Sequence, residues 1–298
     1  MRSGIIERFS GVYPALMTPF DEKDRVNEDV VRAMVDRHLA AGMRGFFVCG
    51  SAGEGLAMRT AERKRLAEVV IDQVQGRGLV IVHVGAIPSV VSAELAAHAE
   101  SVGADAVSSV PPIYYNAGLE GIVRHYQTIA AATTLPIVAY NIPATTGITM
   151  TLPVMAELFK IENVIGMKFT YYNYYEMRNI IEMMDEQCLI LSGSDEMFLP
   201  ALVMGANGAI GSTQNIAPEL FVEIYQAFLE GDLDRARALQ YRANRMVLAL
   251  LTCGGVRAWK AVLSRQGFAM GGCRPPLTNV TGEQETALLK SLEGMGLF

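Results

Sequence analysis

Short apolar runs recur along the chain, and each is followed by a polar turn and then by a longer segment with helical periodicity. Alternation of this kind is typical of βα units around a parallel sheet. The runs predict eight strands, at residues 12–17, 45–49, 79–84, 106–110, 136–140, 164–169, 189–192 and 208–211.

Several segments between these runs predict helices, because their apolar residues are spaced by three and four positions. Val30, Met34 and Val35, for example, fall on one helical face. The clearest segments with this spacing are 28–41, 61–75, 90–102 and 119–132. Eight strands that alternate with helices predict an α/β fold of the (β/α)8 TIM barrel type.

An open, doubly wound sheet is the alternative, but it usually has fewer strands and a glycine-rich phosphate-binding turn after the first. Here the first run is followed by Thr18 and Pro19, which favours the barrel. Residues 232–298 predict additional helices with core-like spacing, one opening at Leu233 and one at 256–266. We expect them to extend the barrel of residues 1–231 and not to form an independent domain.

Composition narrows the possible partners. The 298 residues are 51% hydrophobic and carry a net charge of −6, so no basic field exists to hold nucleic acid or an anionic membrane. No apolar run reaches the length of a membrane span, and we expect a soluble, cytoplasmic protein. The four cysteines and four histidines share no ligand spacing, which predicts neither disulfides nor a metal site.

Polar residues cluster where the predicted strands end, and in a barrel of this type the catalytic groups lie at the carboxyl ends of the strands. The strand-end set comprises Thr18, Ser51, Glu54, Tyr114, Tyr115, Tyr140, Asn141, Lys168, Thr170, Asp195, Glu196, Ser212 and Thr213. The opposite ends carry mainly glycine turns. The sequence therefore predicts an active site at the carboxyl ends.

Lys168 is the most informative member of this set. A lysine that ends a buried strand loses its charge more readily than one in water, and the neutral amine attacks a ketone to form a Schiff base. Tyr140 ends the preceding strand at a matching height and offers a phenol for proton transfer. The plain alternatives are a solvated lysine and an amphipathic tyrosine at the rim.

The turn 50–55, with the sequence Gly-Ser-Ala-Gly-Glu-Gly, follows the second strand. A glycine-rich turn exposes consecutive backbone N–H groups, which can bind an oxyanion or a carboxylate. We expect a pyruvate carboxylate to bind there without an arginine.

These residues together resemble the N-acetylneuraminate lyase and dihydrodipicolinate synthase family. The matching motifs are Gly50-Ser51-x-Gly53-Glu54, Tyr114-Tyr115, Tyr140-Asn141-Ile142-Pro143, Gly166-x-Lys168 and Gly208-x-Ile210-Gly211-Ser212. The resemblance implies a pyruvate-dependent class I aldolase barrel that acts on a small keto acid, needs no cofactor or metal, and assembles as a homotetramer.

The resemblance also implies roles for individual residues. Lys168 would form the Schiff base, Tyr140 would move protons, and Tyr114 would be lent across a subunit interface. Ser51 and Ala52 fall in the carboxylate cradle. Contacts to a sugar acid, as in the lyase branch, would come from Thr170, Gly193, Asp195, Glu196, Gly211 and Ser212. For the acidic pair, a place at a helix N-terminus is an equal explanation, and both can hold.

Two departures from the family pattern change the expected substrate. Residues 144–147 read Ala-Thr-Thr-Gly, where the synthase branch has an arginine for a second carboxylate. Ala52 stands where both branches have a threonine that links two tyrosines in a proton relay. The leading hypothesis is an aldolase that cleaves a 2-keto-3-deoxy sugar acid, with N-acetylneuraminate as the best single candidate.

Three other functions stay open from the sequence. One is another pyruvate-dependent member of the family, such as a 2-keto-3-deoxygluconate-type aldolase, a dehydratase or a synthase-like enzyme. The second is a catalytically idle barrel that binds a keto acid, suggested by Ala52. A metal-dependent enzyme is disfavoured by the missing ligand cluster. The tyrosines at 171–175 are expected to pack a loop or interface, and Trp259 to lie in the core.

Overall fold

The computed structural model of the protein describes residues 2–297, and its centre is a closed barrel of eight parallel strands. The strands are β1 (Gly11–Pro14), β2 (Gly45–Val48), β3 (Leu79–His83), β4 (Ala106–Ser109), β5 (Ile137–Asn141), β6 (Val164–Phe169), β7 (Leu189–Ser192) and β8 (Gly208–Gly211). β1 pairs with β8. The barrel closes between β1 and β2 through a bridge at Ala15 and Phe47, where the N–H of Leu16 donates to Phe47 O at 2.9 Å.

The helices surround this barrel, and the predicted (β/α)8 architecture is confirmed. They are α1 (Arg2–Phe9), α2 (Glu28–Ala40), α3 (Thr60–Val74), α4 (Ser89–Ser101), α5 (Gly118–Ala130), α6 (Pro143–Thr146), α7 (Leu152–Leu158), α8 (Tyr174–Met183), α9 (Phe198–Val203), α10 (Pro218–Leu229), α11 (Leu233–Thr252), α12 (Val256–Arg265) and α13 (Gly282–Leu292). Short 3₁₀ turns occupy Gly55–Ala57, Asp195–Met197 and Thr213–Asn215.

Apolar side chains pack in two layers, one inside the barrel and one between the strands and the helices. Strand residues alternate between these layers because successive side chains point to opposite faces. On β6, Met167 and Phe169 belong to the outer layer, as the sequence predicts. Lys168 therefore points inward, together with the inner-layer residues of its neighbours.

Helix α1 was not foreseen from the sequence, and it covers the amino-terminal end of the barrel. Phe9 is fully buried in the inner layer, and Ile5 and Ile6 pack against the same cluster. The hydroxyl of Tyr13 donates to the carbonyl of Phe9 at 2.9 Å. The barrel is thus closed at one end, and a substrate has to enter from the carboxyl ends of the strands.

The C-terminal helices share the outer core with the barrel. Met246 and Leu250 of α11, Val262 of α12 and Leu288 of α13 belong to the same buried cluster as the barrel strands. The assignment of residues 232–298 to one domain with the barrel stays a prediction, and this shared core supports it. Within residues 2–297 no single helix is long and apolar enough to span a membrane, and only α11 and α12, bent by 113°, satisfy the criteria as a pair.

Candidate active site

Lys168 lies inside the carboxyl end of the barrel with only 4% of its surface exposed. The strand register places it directly beside Tyr140 on β5 and Leu191 on β7. Its Nζ lies 4.1 Å from the centroid of the Tyr140 ring and 4.5 Å from that of Phe47. The amine is thus enclosed by aromatic faces at the level where the strands end.

No carboxylate forms an ion pair with this amine within the described part of the chain. Lys64, Lys160 and Lys260 each pair with a glutamate, but Lys168 does not. Its surroundings are the inner apolar layer, including Phe47, Tyr140 and Leu191. Because no carboxylate holds this nitrogen, it is free to react with a carbonyl carbon.

Tyr140 is held in place by two ring contacts in addition to its strand. Its ring meets Phe47 edge-on at 5.8 Å and His83 edge-on at 5.9 Å, measured between ring centroids. The N–H of Val110 donates to Nε2 of His83 at 3.4 Å, so Nδ1 carries the proton that faces Cys49 O at 3.2 Å. Both nitrogens are occupied by the backbone, and His83 serves here to support Tyr140.

His83 stays uncharged in this position. Burial lowers its pKa well below 6.5, and the positive charge of nearby Arg63 acts in the same direction. The spacing of the histidines alone predicts only a core or helix-surface residue at His83. Its place on β3, facing inward at the strand end, is the signal that could have revealed the contact with Tyr140.

The turn 50–55 leaves three consecutive backbone donors without a protein partner within residues 2–297. Among the described residues, the N–H groups of Ser51, Ala52 and Gly53 make no hydrogen bond to the protein, whereas those of Glu54 and Gly55 are bonded within the turn. A Cβ on Gly53 would lie 2.6 Å from Leu16 O, so only glycine fits there. Three adjacent donors are therefore available to a carboxylate.

Ala52 packs in the inner layer beside Phe47 and Tyr140. It is buried, whereas Ser51 next to it is exposed. The methyl group of Ala52 offers neither donor nor acceptor. A proton relay through this position is therefore absent from the chain itself.

A cavity of about 380 Å³ opens on the other side of Lys168, at the ends of β5 to β8. Its lining residues are Ile142, Pro143, Ala144, Thr145, Thr170, Tyr171, Tyr172, Gly193, Ser194, Asp195, Glu196, Ser212, Thr213, Val247, Leu251 and Trp259. None of these is a lysine or an arginine, and two are acidic. The cavity therefore suits hydroxyl groups and apolar surface better than a second anion.

Gly193 joins the cavity to the lysine. A Cβ at this position would lie 1.8 Å from Oγ1 of Thr170 and 3.1 Å from Cε of Lys168. The absence of a side chain thus lets both groups approach the same point. Oγ1 of Thr170 is buried and has no partner among the described residues, so it can bond a substrate hydroxyl.

The two acids of the cavity differ in burial and in hydrogen bonding. Asp195 is buried: Oδ2 accepts from the N–H and hydroxyl of Thr213 at 2.8 and 2.7 Å, and Oδ1 accepts from Gln214 at 3.0 Å. A Cβ on Gly211 would lie 1.6 Å from Oδ1, so this glycine makes room for the carboxylate. Burial raises the pKa of Asp195 to about 6, although the hydrogen bonds act against it.

Glu196 is half-buried and faces the cavity. Its Oε1 accepts from the hydroxyl of Tyr172 at 2.6 Å, and this bond raises the pKa of Tyr172 to about 12. Asp195 and Glu196 also begin a 3₁₀ turn that leads into α9, which agrees with the second explanation for the acidic pair. Asp195 is thus largely occupied by protein donors, and Glu196 keeps free acceptor capacity.

One predicted site residue, Tyr114, lies outside the site of its own chain, and three aromatic residues that were not predicted line the cavity. Tyr114 is 85% exposed, has a left-handed φ of 79° and stacks edge-on against Tyr115, away from the Lys168 site of its own chain. Tyr171, Tyr172 and Trp259 line the cavity. From the sequence, the two tyrosines were expected to pack a loop or interface and Trp259 to lie in the core.

We found no candidate metal-binding site among the described residues. No group of three or more histidine, cysteine, aspartate or glutamate side chains in 2–297 is placed to hold a metal ion. The chemistry available at the cavity is that of an amine, a phenol, a hydroxyl and a carboxylate.

Comparisons with known proteins identify the family of this chain. The chain matches the dihydrodipicolinate synthetase family over residues 8–295. It is 37% identical to a 4-hydroxy-tetrahydrodipicolinate synthase of Methanopyrus kandleri, covering 98% of both chains. It is 34% identical to an N-acetylneuraminate lyase of Clostridium perfringens, covering 92% of this chain and 95% of that one. A sialic acid aldolase of Ruminococcus gnavus, solved as a catalytic lysine mutant, superposes with a TM-score of 0.93 at 29% identity, covering 97% and 96%.

The barrel and its buried lysine define a lyase of the class I aldolase type, in which a lysine forms a Schiff base with pyruvate. The chain belongs to the dihydrodipicolinate synthetase family. Because the relatives include both synthases and lyases at similar identity, membership leaves the second substrate open.

The state of Asp195 predicts a specific pH dependence of stability. Because its folded pKa of about 6 lies above the ordinary 3.8, the folded protein binds this proton more tightly than the unfolded chain. The stability contribution of Asp195 therefore falls as the pH rises from about 4 to about 6, by roughly 3 kcal/mol at 1.36 kcal/mol per pKa unit.

Asp195→Asn removes this titration. Urea unfolding at several pH values from 4 to 7 should show the stability of the wild type falling relative to the variant as the pH rises. A difference between the two proteins that is constant over this range would contradict the assignment.

Proposed function

We propose that the protein cleaves a 2-keto-3-deoxy sugar acid to pyruvate and an aldehyde through a Schiff base on Lys168. N-acetylneuraminate is the best single candidate. The observation that carries this proposal is the placement of Lys168, which is buried without a carboxylate partner and lies beside Tyr140 in strand register. The three free N–H groups of 51–53 on one side and the cavity on the other supply the two subsites that such a substrate needs.

The first step is formation of the imine. The substrate carboxylate binds to the N–H groups of 51–53, which brings its keto carbon to Nζ of Lys168. The unprotonated amine adds to this carbon to give a carbinolamine. The carbinolamine hydroxyl takes the phenolic proton of Tyr140, for which water can substitute as the donor, and leaves as water; this gives a protonated imine and leaves Tyr140 as a phenolate. The rings of Phe47 and Tyr140 face this nitrogen at 4.5 and 4.1 Å and stabilise its positive charge by about 1 kcal/mol or more each.

The second step is cleavage of the carbon–carbon bond. Tyr140, in its phenolate form, accepts the proton of the C4 hydroxyl as the C3–C4 bond breaks. The aldehyde leaves, and the bonding electrons pass to C3, so that the cationic imine becomes a neutral enamine. Protonation at C3 and hydrolysis then release pyruvate and restore the amine. Tyr140 lies close enough to Lys168 to return the proton that it accepted.

The cavity supports a sugar acid and argues against a second carboxylate. Thr170 and Glu196 offer hydrogen-bonding groups for hydroxyls, and no cation lines the space to pair with an anion. Ala144 and Thr145 of α6 occupy the wall where an arginine would be needed. An unpaired anion next to Asp195 and Glu196 would be costly to desolvate. Dihydrodipicolinate synthesis is therefore disfavoured, although several relatives are synthases.

A second candidate is a barrel that binds a keto acid without turning it over. The observation that favours it is Ala52, whose methyl group packs at the position where the family resemblance places a relay hydroxyl. The same imine would form, but proton transfer would be slow. Other pyruvate-dependent lyases of the family share the first step and differ in the cavity.

The exposure of Tyr114 supports assembly as a homotetramer. A large aromatic residue that is 85% exposed and held at a left-handed φ has little role within one chain. We propose that it completes the site of a neighbouring subunit. We place the enzyme in the cytoplasm, where its keto acid substrate would be dissolved.

Activity on a substrate panel tests the proposed function. Pyruvate release should be detected with at least one 2-keto-3-deoxy sugar acid whose only charged group is the C1 carboxylate. Condensation of pyruvate with an aldehyde that carries a second carboxylate should be slower by about a hundredfold or more. Lys168→Ala should abolish both, and Lys160→Ala, an exposed lysine after α7, should abolish neither. Faster reaction with the anionic aldehyde would overturn the sugar-acid proposal.

The roles of Tyr140 and Ala52 are tested by a pair of substitutions. Tyr140→Phe should lower kcat by about 10²- to 10⁴-fold while the imine still forms, because only proton transfer is lost. Tyr175→Phe, at an exposed position on α8, is the matched control. Ala52→Thr should keep or raise kcat, because it supplies a relay hydroxyl. A fall of about a hundredfold in that variant would show that the site uses another relay.

A further inference from the structure

A buried ion pair lies behind the turn 50–55, outside the groups that the proposed reaction uses. Oε1 of Glu54 is 2.5 Å from Nζ of Lys260, and the two side chains are 0% and 3% exposed. Glu54 comes from the turn itself, whereas Lys260 comes from α12 in the C-terminal extension. The pair therefore ties the carboxylate cradle to helices that lie far along the chain.

Two further groups surround the charge of Lys260. Its Nζ also donates to the carbonyl of Gly272 at 2.8 Å and lies 4.2 Å from the centroid of the Phe20 ring. Burial lowers the pKa of Lys260, and Glu54 acts against this shift. Because Nζ is enclosed by these groups, Lys260 acts through Glu54 and not on a substrate.

The other oxygen of Glu54 anchors the C-terminal loop. Oε2 accepts from the N–H of Arg274 at 2.7 Å. The guanidinium of Arg274 in turn donates to Glu62 on α3 at 2.6 and 2.8 Å and to Asp24 at 3.0 Å. The turn 50–55 is thus fixed from behind by a network that joins α3, α12 and the loop after α12.

The turn needs such support because its backbone is strained. Cys49 and Glu54 have φ values of 62° and 56°, in the left-handed region that non-glycine residues rarely adopt. On its other side the turn is held by Thr18, whose hydroxyl donates to Gly53 O at 2.6 Å. Between these two anchors lie the free N–H groups of residues 51–53. Their direction depends on both anchors.

We propose that the Glu54–Lys260 ion pair positions the carboxylate cradle and so sets the concentration of pyruvate at which the Schiff base forms. The inference rests on the proposed function, since it requires an imine on Lys168. It assigns the C-terminal extension a role in binding the keto acid, although α12 contributes no group to the cradle itself. Lys260 and Glu54 are positioning residues, and their loss should change affinity for pyruvate more than the rate of the chemical step.

The test is a titration of pyruvate in the presence of borohydride, with the reduced adduct measured as the mass of the intact protein. Lys260→Met should raise the half-saturating pyruvate concentration about tenfold or more and change the limiting trapping rate by less than about threefold. Lys64→Met removes a surface ion pair of similar length, 2.6 Å to Glu94. This control should leave both values within about twofold of the wild type.

A double variant, Glu54→Gln with Lys260→Met, separates positioning from stability. Removing both charges avoids an unpaired buried carboxylate, so the melting temperature should recover relative to Lys260→Met. The half-saturating concentration should stay raised at least about fivefold, because the turn has lost its anchor. If Lys260→Met does not fold, the double variant provides the test.

The outcomes distinguish this inference from the proposed function. Wild-type half-saturation in a folded Lys260→Met or double variant would overturn the positioning role and leave the aldolase intact. A wild-type protein that traps no pyruvate would overturn the proposed function, and the positioning role with it.

Discussion

The reactivity of this protein depends on one amine that is buried without an opposite charge. Most buried lysines pair with a carboxylate, as Lys260 does with Glu54. Lys168 instead has the faces of Phe47 and Tyr140 as neighbours. These rings can stabilise a cation such as a protonated imine, but they do not occupy the nitrogen as a carboxylate would, so it stays accessible to a carbonyl carbon.

The closed barrel makes this arrangement possible. Helix α1 seals the amino-terminal end, and the inward-facing side chains fill the interior up to the level of Lys168. The parallel register of β5 with β6 is sufficient to place Tyr140 beside Lys168. The proposed carboxylate cradle lies on the β2 side and the cavity at the ends of β5 to β8, so Lys168 lies between two regions with different electrostatics. The cradle offers donors, whereas the cavity offers acceptors and apolar surface.

The sequence predicted the barrel and the lysine–tyrosine pair because both follow from local rules. Apolar runs mark the strands, and residues at the ends of adjacent parallel strands must meet. It could not predict that Asp195 is bonded by Thr213 and Gln214, since which donors face a carboxylate depends on how loops fold. The contact of Glu54 with Lys260 and the place of Trp259 in the cavity arise from helices packed far along the chain, which no short-range pattern records. Helix α1 was missed because it has only 8 residues and precedes the first strand, outside the strand–helix alternation.

The attachment site of pyruvate is the most direct test of Schiff-base formation on Lys168. The protein would be incubated with pyruvate and borohydride, digested, and its peptides sequenced by mass spectrometry. We expect one reduced pyruvate per chain, attached to Lys168 alone. Modification of a different lysine in place of Lys168, or a chain that gains no adduct at saturating pyruvate, would contradict it.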